Sequence, residues 1–434
     1  MTAGGAAAAL GARIERAAAL NAIAEVDTAA LVREGAPSAD GAPFVHVKDN
    51  IAVRGLQWTA GTPLFAGVRA RRDAAAVRLL REAGASFPLK TTLHELAFGV
   101  TGANGWTGAI ANPHAPGRVA GGSSGGGAAA LAVGLGDLAL VTDTGGSARI
   151  PAAFCGVIGF RPSTGRYPAD GMIALTPSRD TIGLMAHDLR RIVRADAILA
   201  GETAALEPRD RPVRIGIATE AVLGPMEPDV TDAYRRCVAL VVAAGHSVVP
   251  VDLAPILAID ESCGFAIALH ETQASLRAST PALTGRPFED LLAAVATPDV
   301  AHLLALAAGG EAVTAARYAD AIGREWPGLR RAYAALFADE IDALLLPTTP
   351  VTAPLIGGGD SIALNGEQAP TFPTLTRFTR ADSMAGLPSI SLPFGRDDRG
   401  LPIGMMLSAA RHADAMLLAL AGDLMALDGF PAAG

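Results

Sequence analysis

Apolar and polar positions run in two periods along this chain, and the switches between them outline its elements. The first 35 residues set apolar side chains at helical spacing and predict helix. "FVHVKDNI" (Phe44–Ile51) alternates, is rich in β-branched residues, and predicts a strand ending near Lys48. "RRDAAAVRLLREAGASFPLKTTLHEL" then reads in order: a helix capped by Asp73, a stop at Gly84, a strand at "SFPLK", and a helix or loop opening at "TTLHEL". "GGGAAALAVGLG" predicts a helix that opens on a glycine-rich turn. "LALVTDT" predicts a strand, followed by a tight turn at "GGS" and a helix starting at Pro151. Strands alternating with helices predict an α/β layered fold.

From about Arg211 the pattern restarts. "VRIGIA", "PDVTDAYRRCVALVVAAG" and "HSVVPVDL" predict a βαβ unit added to the same sheet. The stretch from about Ile256 to Asp342 is alanine-rich and mostly helical in period. "IDALLLPTTP" predicts a buried strand ended by prolines. "GLPSISLPFG" and "LPIGMMLSA" predict a hairpin ahead of a C-terminal helix. There is no internal repeat and no Gly, Ser or Pro linker to divide the chain, so one domain is expected over residues 1–434. The loop at Gly357–Ser361 is its candidate mobile segment.

Composition narrows the class. A chain of 434 residues, 50% hydrophobic and 18% charged, can bury a large core. Mean hydropathy is +0.33, much of it from alanine, yet no purely apolar run reaches the roughly 18 residues of a membrane span. The N-terminus reads as an amphipathic helix, not a signal peptide. Cys155, Cys237 and Cys263 form no CxxC or metal-type pattern, which fits a reducing, cytoplasmic compartment. A net charge of −8 argues against a nucleic-acid partner.

The candidate chemistry lies in "VAGGSSGGGAAALAVGLGDLALVTDTGGSARIPAAFCG" (Val119–Gly156), where Ser123 and Ser147 sit among glycines with no evident triad partner. Glycines allow a turn whose amides converge on one hollow, a nest suited to a developing oxyanion. "TDTGGS" would then present Ser147 as nucleophile, with donors from Thr144, Gly145, Gly146 and Ser147 itself. The alternative is a loop whose glycines only let strand and helix pack closely. A phosphate loop is disfavoured, since no GK[ST] follows and no GxGxxG follows a strand. A serine hydroxyl needs a base. The eight histidines stand in no GxSxG arrangement. A neutral lysine is the other solution, and burial lowers a lysine's pKa in that direction. The chain has two lysines, Lys48 and Lys90. The residue pattern does not choose between them, although Lys48 follows the apolar run "PFVHV".

"HVKDNI", "GGSSGG" and "TDTGGSARIPAAFCGVIGFRPSTGR", in that order, closely resemble the amidase signature family, whose members hydrolyse amides through a Ser–cisSer–Lys triad. The resemblance is strong from about Phe44 to Ala186 and resumes at "LLLPTTP" and at "GLPSISLPFG" and "GLPIGMML". It implies the amidase signature fold, α/β with a central mixed, twisted β-sheet flanked by helices on both faces. The site would occupy about residues 40–200, and about 256–342 would form a substrate cap. It implies a small-molecule amide substrate and no metal or other cofactor.

Carried over residue by residue, Lys48 is the base, Ser123 the serine after a non-proline cis peptide at Gly122, and Ser147 the nucleophile. Thr144, Gly145, Gly146 and Ser147 line the oxyanion hole. Ser124 is expected to hydrogen-bond Lys48 or to serve as a turn residue. Asp143 and Arg149 frame the turn, Asp180 is a structural acid at the floor of the site, and Cys155 is a buried bystander.

"KTTLHELAFGVTGANGWTGAIANPHAPGRVAGGSSGG" and "GFRPSTGRYPADGMIALTPSRDTIG" look like the branch of indoleacetamide and mandelamide hydrolases. That branch implies an aryl-alkyl primary amide with ammonia leaving. Gly121, Gly122, Phe98 and Thr101 would then edge the acyl pocket, with Phe98 as pocket wall ahead of the alternative of core, and His94 would touch substrate or pack a helix. Aromatic content of 5% leaves the indole cage unaccounted for, so carbamates (urethanes), anilides and esters stay open as substrates. Two rivals share the scaffold: the glutamine-hydrolysing subunit of a tRNA amidotransferase, and a non-catalytic binding protein. "HELAFG" speaks against the first, and the joint presence of Lys48, Ser123 and Ser147 against the second. No membrane partner is expected, and a homodimer is expected only by analogy with such enzymes.

Overall fold

Among the residues described by the computed structural model (3–34, 43–204, 212–309 and 312–430), eleven strands join one mixed sheet and two form a separate hairpin. In chain order the strands are β1 (Ile23–Val26), β2 (Phe44–Lys48), β3 (Ser86–Thr91), β4 (Leu138–Asp143), β5 (Ile158–Arg161), β6 (Thr181–Ala186), β7 (Arg214–Ala218), β8 (Ser247–Val251), β9 (Ala343–Pro347), β10 (Ser361–Leu364), β11 (Glu367–Pro370), β12 (Ser389–Arg396) and β13 (Pro402–Ala409). The large sheet runs β1-β3-β2-β4-β6-β5-β12-β13-β9-β7-β8. β2 is parallel to both β3 and β4, and β7 is parallel to both β8 and β9; the remaining pairs are antiparallel. β2, β4, β5, β6, β9 and β13 are buried at every position. A strand buried on both faces needs a layer on each, and helices supply it.

The βαβ unit, the late hairpin and the helical stretch from 254 to 340 stand where the pattern predicts them. Three local expectations are corrected, and one hairpin stands where none is predicted. The first 35 residues are not one helix. Ala3–Ala19 is helical, Asn21 adopts a positive φ of 55°, and β1 then pairs antiparallel with β3 before a second helix at Thr28–Glu34. "IAEV" is too short to display an alternation, so periodicity alone merges it with its flanks. Met1, Thr2 and Gly35 of that expected helix, like Arg211, lie outside the described residues.

Asp73 does not cap the next helix, which opens at Ala75. Its carboxylate accepts instead from the Arg54 amide and Arg81 Nε. The helix expected at Pro151 begins two residues earlier, as Arg149–Cys155. Proline is tolerated there because first-turn amides need no intrahelical acceptor. Finally, Gly357–Ser361 leads into the unpredicted β10–β11 hairpin. Its turn is Asn365–Gly366, with φ of 53° and 86°, the Asn-Gly signal for a two-residue hairpin.

The glycines after Ser124 set the depth of the site. Gly125–Ala132 is a helix of glycines, alanines and one leucine, with all but Ala132 buried. A Cβ at Gly126 would lie 2.5 Å from the Thr92 carbonyl oxygen, and one at Gly127 3.2 Å from Val141 Cγ1. The helix therefore lies directly on the sheet. That brings Ser123 and Ser124, just before its start, over the carboxyl ends of parallel β2 and β4, where Lys48, Thr142 and Asp143 sit.

Candidate active site

β2 ends on Lys48, whose side chain is fully buried. Its Nζ donates to Ser123 Oγ at 2.8 Å and to Thr142 Oγ1 at 2.7 Å. Burial pulls the Lys48 ammonium from 10.5 down to about 7, against the opposing pull of Asp143 and Asp180. Among the described residues no carboxylate contacts it, and a large share of the amine is neutral near pH 7. Lys90, equally buried, is held differently. Its Nζ lies 3.1 Å from Asp49 Oδ1 and donates to the Ile51 and Gln57 carbonyls. Burial lowers its pKa, and Asp49 opposes this with a direct ion pair. The two buried lysines thus differ in their partners: hydroxyls at Lys48, a carboxylate at Lys90.

The Gly122–Ser123 peptide bond is cis. The glycines before it are packing positions. A Cβ at Gly122 would come within 2.8–2.9 Å of the backbone of Val100, Thr101 and Gly102, and one at Gly121 would sit 2.8 Å from Pro151 Cα. Both are placed to let backbone approach backbone. The expected Ser124–Lys48 hydrogen bond is not formed. Ser124 Oγ donates to the Thr142 carbonyl oxygen at 3.2 Å, and the Thr142 hydroxyl takes the lysine contact. Asn50 Nδ2 donates to that same hydroxyl at 3.2 Å.

Ser147 stands on the turn between β4 and the helix Arg149–Cys155, nearly buried. Asp143 organises that turn. Its carboxylate accepts from the Gly146 amide at 2.9 Å and the Ala148 amide at 3.1 Å. Arg149 meets it with two nitrogens at 3.0 Å each, and Arg161 Nη1 adds a contact at 3.2 Å. Burial pushes the Asp143 carboxyl up, but the two guanidiniums and the amides hold it far below the usual carboxylate range. Thr379 Oγ1 donates to the Gly145 carbonyl oxygen at 2.6 Å, and Thr144 Oγ1 donates to Asp180 Oδ1 at 2.6 Å. Asp180 is in turn fixed by the amides of Leu175 and Thr176.

One expected oxyanion donor is corrected here. The Gly146 amide is turned onto Asp143, whereas the Gly145 and Ser147 amides have no intramolecular partner among the described residues. The turn is also open on the Gly145 side, where a Cβ would meet nothing within 4 Å. Gly146 is the tight position, with φ of +126° and a virtual Cβ 2.4 Å from Thr379 Oγ1. Gly146→Ala is therefore expected to lower kcat by about 100-fold or more through a displaced turn. Steady-state kinetics beside a melting curve checks this, the fold remaining cooperative.

Phe98 is buried among Leu96, Phe65, Leu269 and Phe288, in an apolar cluster shared with the helical stretch. That placement is core, against the expected pocket wall, because the 256–342 region folds down over it. Thr101 lines a cleft of about 320 Å³ together with Asn104, Thr297, Asp299, Leu355 and Asp360. Cys155 is buried with its Sγ on the Ala120 carbonyl oxygen at 3.4 Å, and burial pushes its thiol up. Among the described residues, Asp229, Asp397 and Asp398 have metal-ligand spacing, but Asp397 is already bonded to Thr352, Arg399 and the Leu401 amide.

Sequence reasoning missed Thr142, Asn50, Arg161, Thr379 and Ser383. Thr142, Asn50 and Arg161 lie inside the quoted motifs, which do not single them out. Thr379 and Ser383 meet the turn from more than 230 residues away, and no local pattern announces them.

A buried lysine on a hydroxyl, together with a serine on a framed turn with free amides, is equipment for acyl transfer at a carbonyl. The chain belongs to the amidase family, whose model, "Amidase", matches residues 6–418. It is an amide hydrolase of that family. It is 35% identical to the indoleacetamide hydrolase of Agrobacterium vitis, over 95% of this chain and 91% of that protein. It is 34% identical to the mandelamide hydrolase of Pseudomonas putida, over 94% and 85%. A crystal structure of an amidase superposes with a TM-score of 0.83 at 34% identity, covering 97% of this chain and 96% of that one. No helix among the described residues is long and apolar enough to cross a membrane.

Proposed function

We propose that the protein hydrolyses an aryl-alkyl primary amide to its carboxylic acid and ammonia, through an acyl-enzyme on Ser147 and a Ser147–Ser123–Lys48 proton relay. The observation that carries this reading is the fully buried Lys48 amine, 2.8 Å from Ser123 Oγ with its pKa pulled down to about 7. The substrate class is supported by the likeness to indoleacetamide and mandelamide hydrolases along nearly the whole chain.

In this reading neutral Lys48 takes the Ser123 proton while Ser123 takes that of Ser147. Ser147 Oγ attacks the carbonyl carbon, and the Gly145 and Ser147 amides, beside Thr144, receive the oxyanion. The tetrahedral intermediate collapses as the proton returns through Ser123 to the leaving nitrogen, and the C–N bond breaks with release of ammonia. Water, deprotonated by the same relay, then cleaves the Ser147 ester. Asp143, Arg149, Arg161 and Thr379 touch no reacting atom; they hold the turn.

The test is product release by the purified protein and by Ser147→Ala on a panel: indole-3-acetamide, phenylacetamide, mandelamide, a short aliphatic amide, an anilide and an aryl carbamate. Arylacetamide turnover lost in Ser147→Ala is the expected result. Turnover mainly of the anilide or carbamate would keep the relay and discard the substrate class. Undiminished turnover by Ser147→Ala would discard the nucleophile.

A further inference from the structure

His94 lies in the loop between β3 and the cis-serine segment, fully buried, and it contacts two parts of the protein that the relay itself does not join. Its backbone amide donates to the Ser123 carbonyl oxygen at 3.0 Å. Its ring Nδ1 accepts from the Gly102 amide at 3.3 Å. An amide N–H can only donate, so Nδ1 carries the lone pair and the ring proton sits on Nε2. Nε2 lies 3.2 Å from Asp299 Oδ2, in the first turn of the helix Pro298–Ala308, a close polar contact that is not an aligned hydrogen bond. The ring packs directly on Gly99, where a Cβ would lie 2.1 Å from Nε2.

Each side of the ring leads somewhere different. On the Nδ1 side, Thr101 and Gly102 form the wall against which Gly122 packs without room for a side chain. That wall fixes the peptide carrying Ser123. On the Nε2 side, Asp299 lines the 320 Å³ cleft together with Thr101 and Thr297. The neighbouring Glu95 strengthens that attachment by accepting from the Ala296 and Thr297 amides at 3.1 and 2.8 Å.

We propose that His94 is a two-sided positioning residue: its Nδ1 side sets the Ser123 loop for proton relay, and its Nε2 side meets, through Asp299, the helical wall of the 320 Å³ cleft lined by Thr101, which we assign to the substrate. The proposal rests on the Ser147–Ser123–Lys48 reading above. Its two sides make different kinetic predictions. The relay side acts on the chemical step, hence on kcat. The cleft side acts on binding, hence on KM.

Two substitutions separate the sides. His94→Asn places an amide oxygen near the Nδ1 position and gives up Asp299. His94→Gln reaches Asp299 with its amide nitrogen and gives up Gly102. Phenylacetamide hydrolysis supplies kcat and KM. An alkyl fluorophosphonate supplies a second readout, since Ser147 Oγ forms a bond to phosphorus, fluoride leaves, and the serine proton passes to the relay.

His94→Gln is expected to lower kcat and labelling rate by about 30-fold or more, with KM within about twofold, as small misplacements of reacting groups do. His94→Asn should keep kcat and labelling within about threefold and raise KM about fivefold or more. Asp299→Ala, which leaves the ring intact, should repeat the His94→Asn pattern and decides the matter if a histidine variant fails to fold.

Equal losses in both histidine variants, or slowed labelling of Asp299→Ala, would overturn the proposal. Labelling of Ser147→Ala at the wild-type rate would instead remove the nucleophile assignment and this proposal with it. Labelling confined to proteins that keep Ser147, without the predicted split, removes the proposal alone.

Discussion

Lys48→Met is expected to lower kcat for phenylacetamide by about four to six orders of magnitude, as Ser147→Ala should, since members of a catalytic unit fail together. Methionine matches the length of the lysine stem, so the cost to the fold is limited to the Ser123 and Thr142 hydroxyls losing a donor, about 1–3 kcal/mol. The pH profile is the sharper part of the prediction. The relay needs Lys48 neutral, and burial brings its pKa down to about 7. kcat/KM of the wild type should therefore rise with pH through about 7 and level off above it. A lysine at its ordinary 10.5 would leave the rate still climbing tenfold per unit at pH 9. A profile of that second kind would place the base elsewhere. Residual activity of Lys48→Met within tenfold of wild type would remove Lys48 from the relay altogether.

What the sequence displays and what it hides follow from the range of the interactions. The buried strands, the βαβ unit and the glycine-rich turns are written in local period and local backbone freedom, and they were readable. The Asn365–Gly366 hairpin is written just as locally, in a two-residue turn signal outside the family motifs. Lys48 and Lys90 were indistinguishable as residues. They differ only in what folds against them, a pair of hydroxyls or Asp49.

The same limit produced two of the three site corrections. Ser124 was expected on Lys48 because it adjoins Ser123, but the chain enters a helix there and turns its hydroxyl to the Thr142 carbonyl. Phe98 was expected on the pocket wall, but the helical region that buries it lies more than 150 residues downstream and carries no motif of its own.

Asp143→Ala should be the most damaging change away from the reacting groups, because it breaks the fold and the turn together. The carboxylate is fully buried, faces Arg149 and Arg161, and holds the Gly146 and Ala148 amides. Removing it leaves two buried guanidiniums without their counter-charge, a loss of about 3–5 kcal/mol that a denaturant titration reads directly. kcat should fall by about 1,000-fold or more, since Gly145 and Ser147 lose the frame that aims their amides. The depressed carboxyl pKa adds a signature in acid. A carboxyl with a folded pKa below its unfolded value, about 3.9 for aspartate, stabilises the protein above that value and less as the pH falls toward the folded one. The wild type should thus lose stability below about pH 4 more steeply than Asp143→Asn, which has no carboxyl to titrate. Combining Asp143→Ala with Arg149→Met should recover part of the stability, since one unpaired charge is gone, and none of the turnover. Recovery of both would mean that the ion pair serves packing alone. Recovery of stability alone would separate the two roles of Asp143, as counter-charge for the core and as the template on which the Ser147 turn is folded.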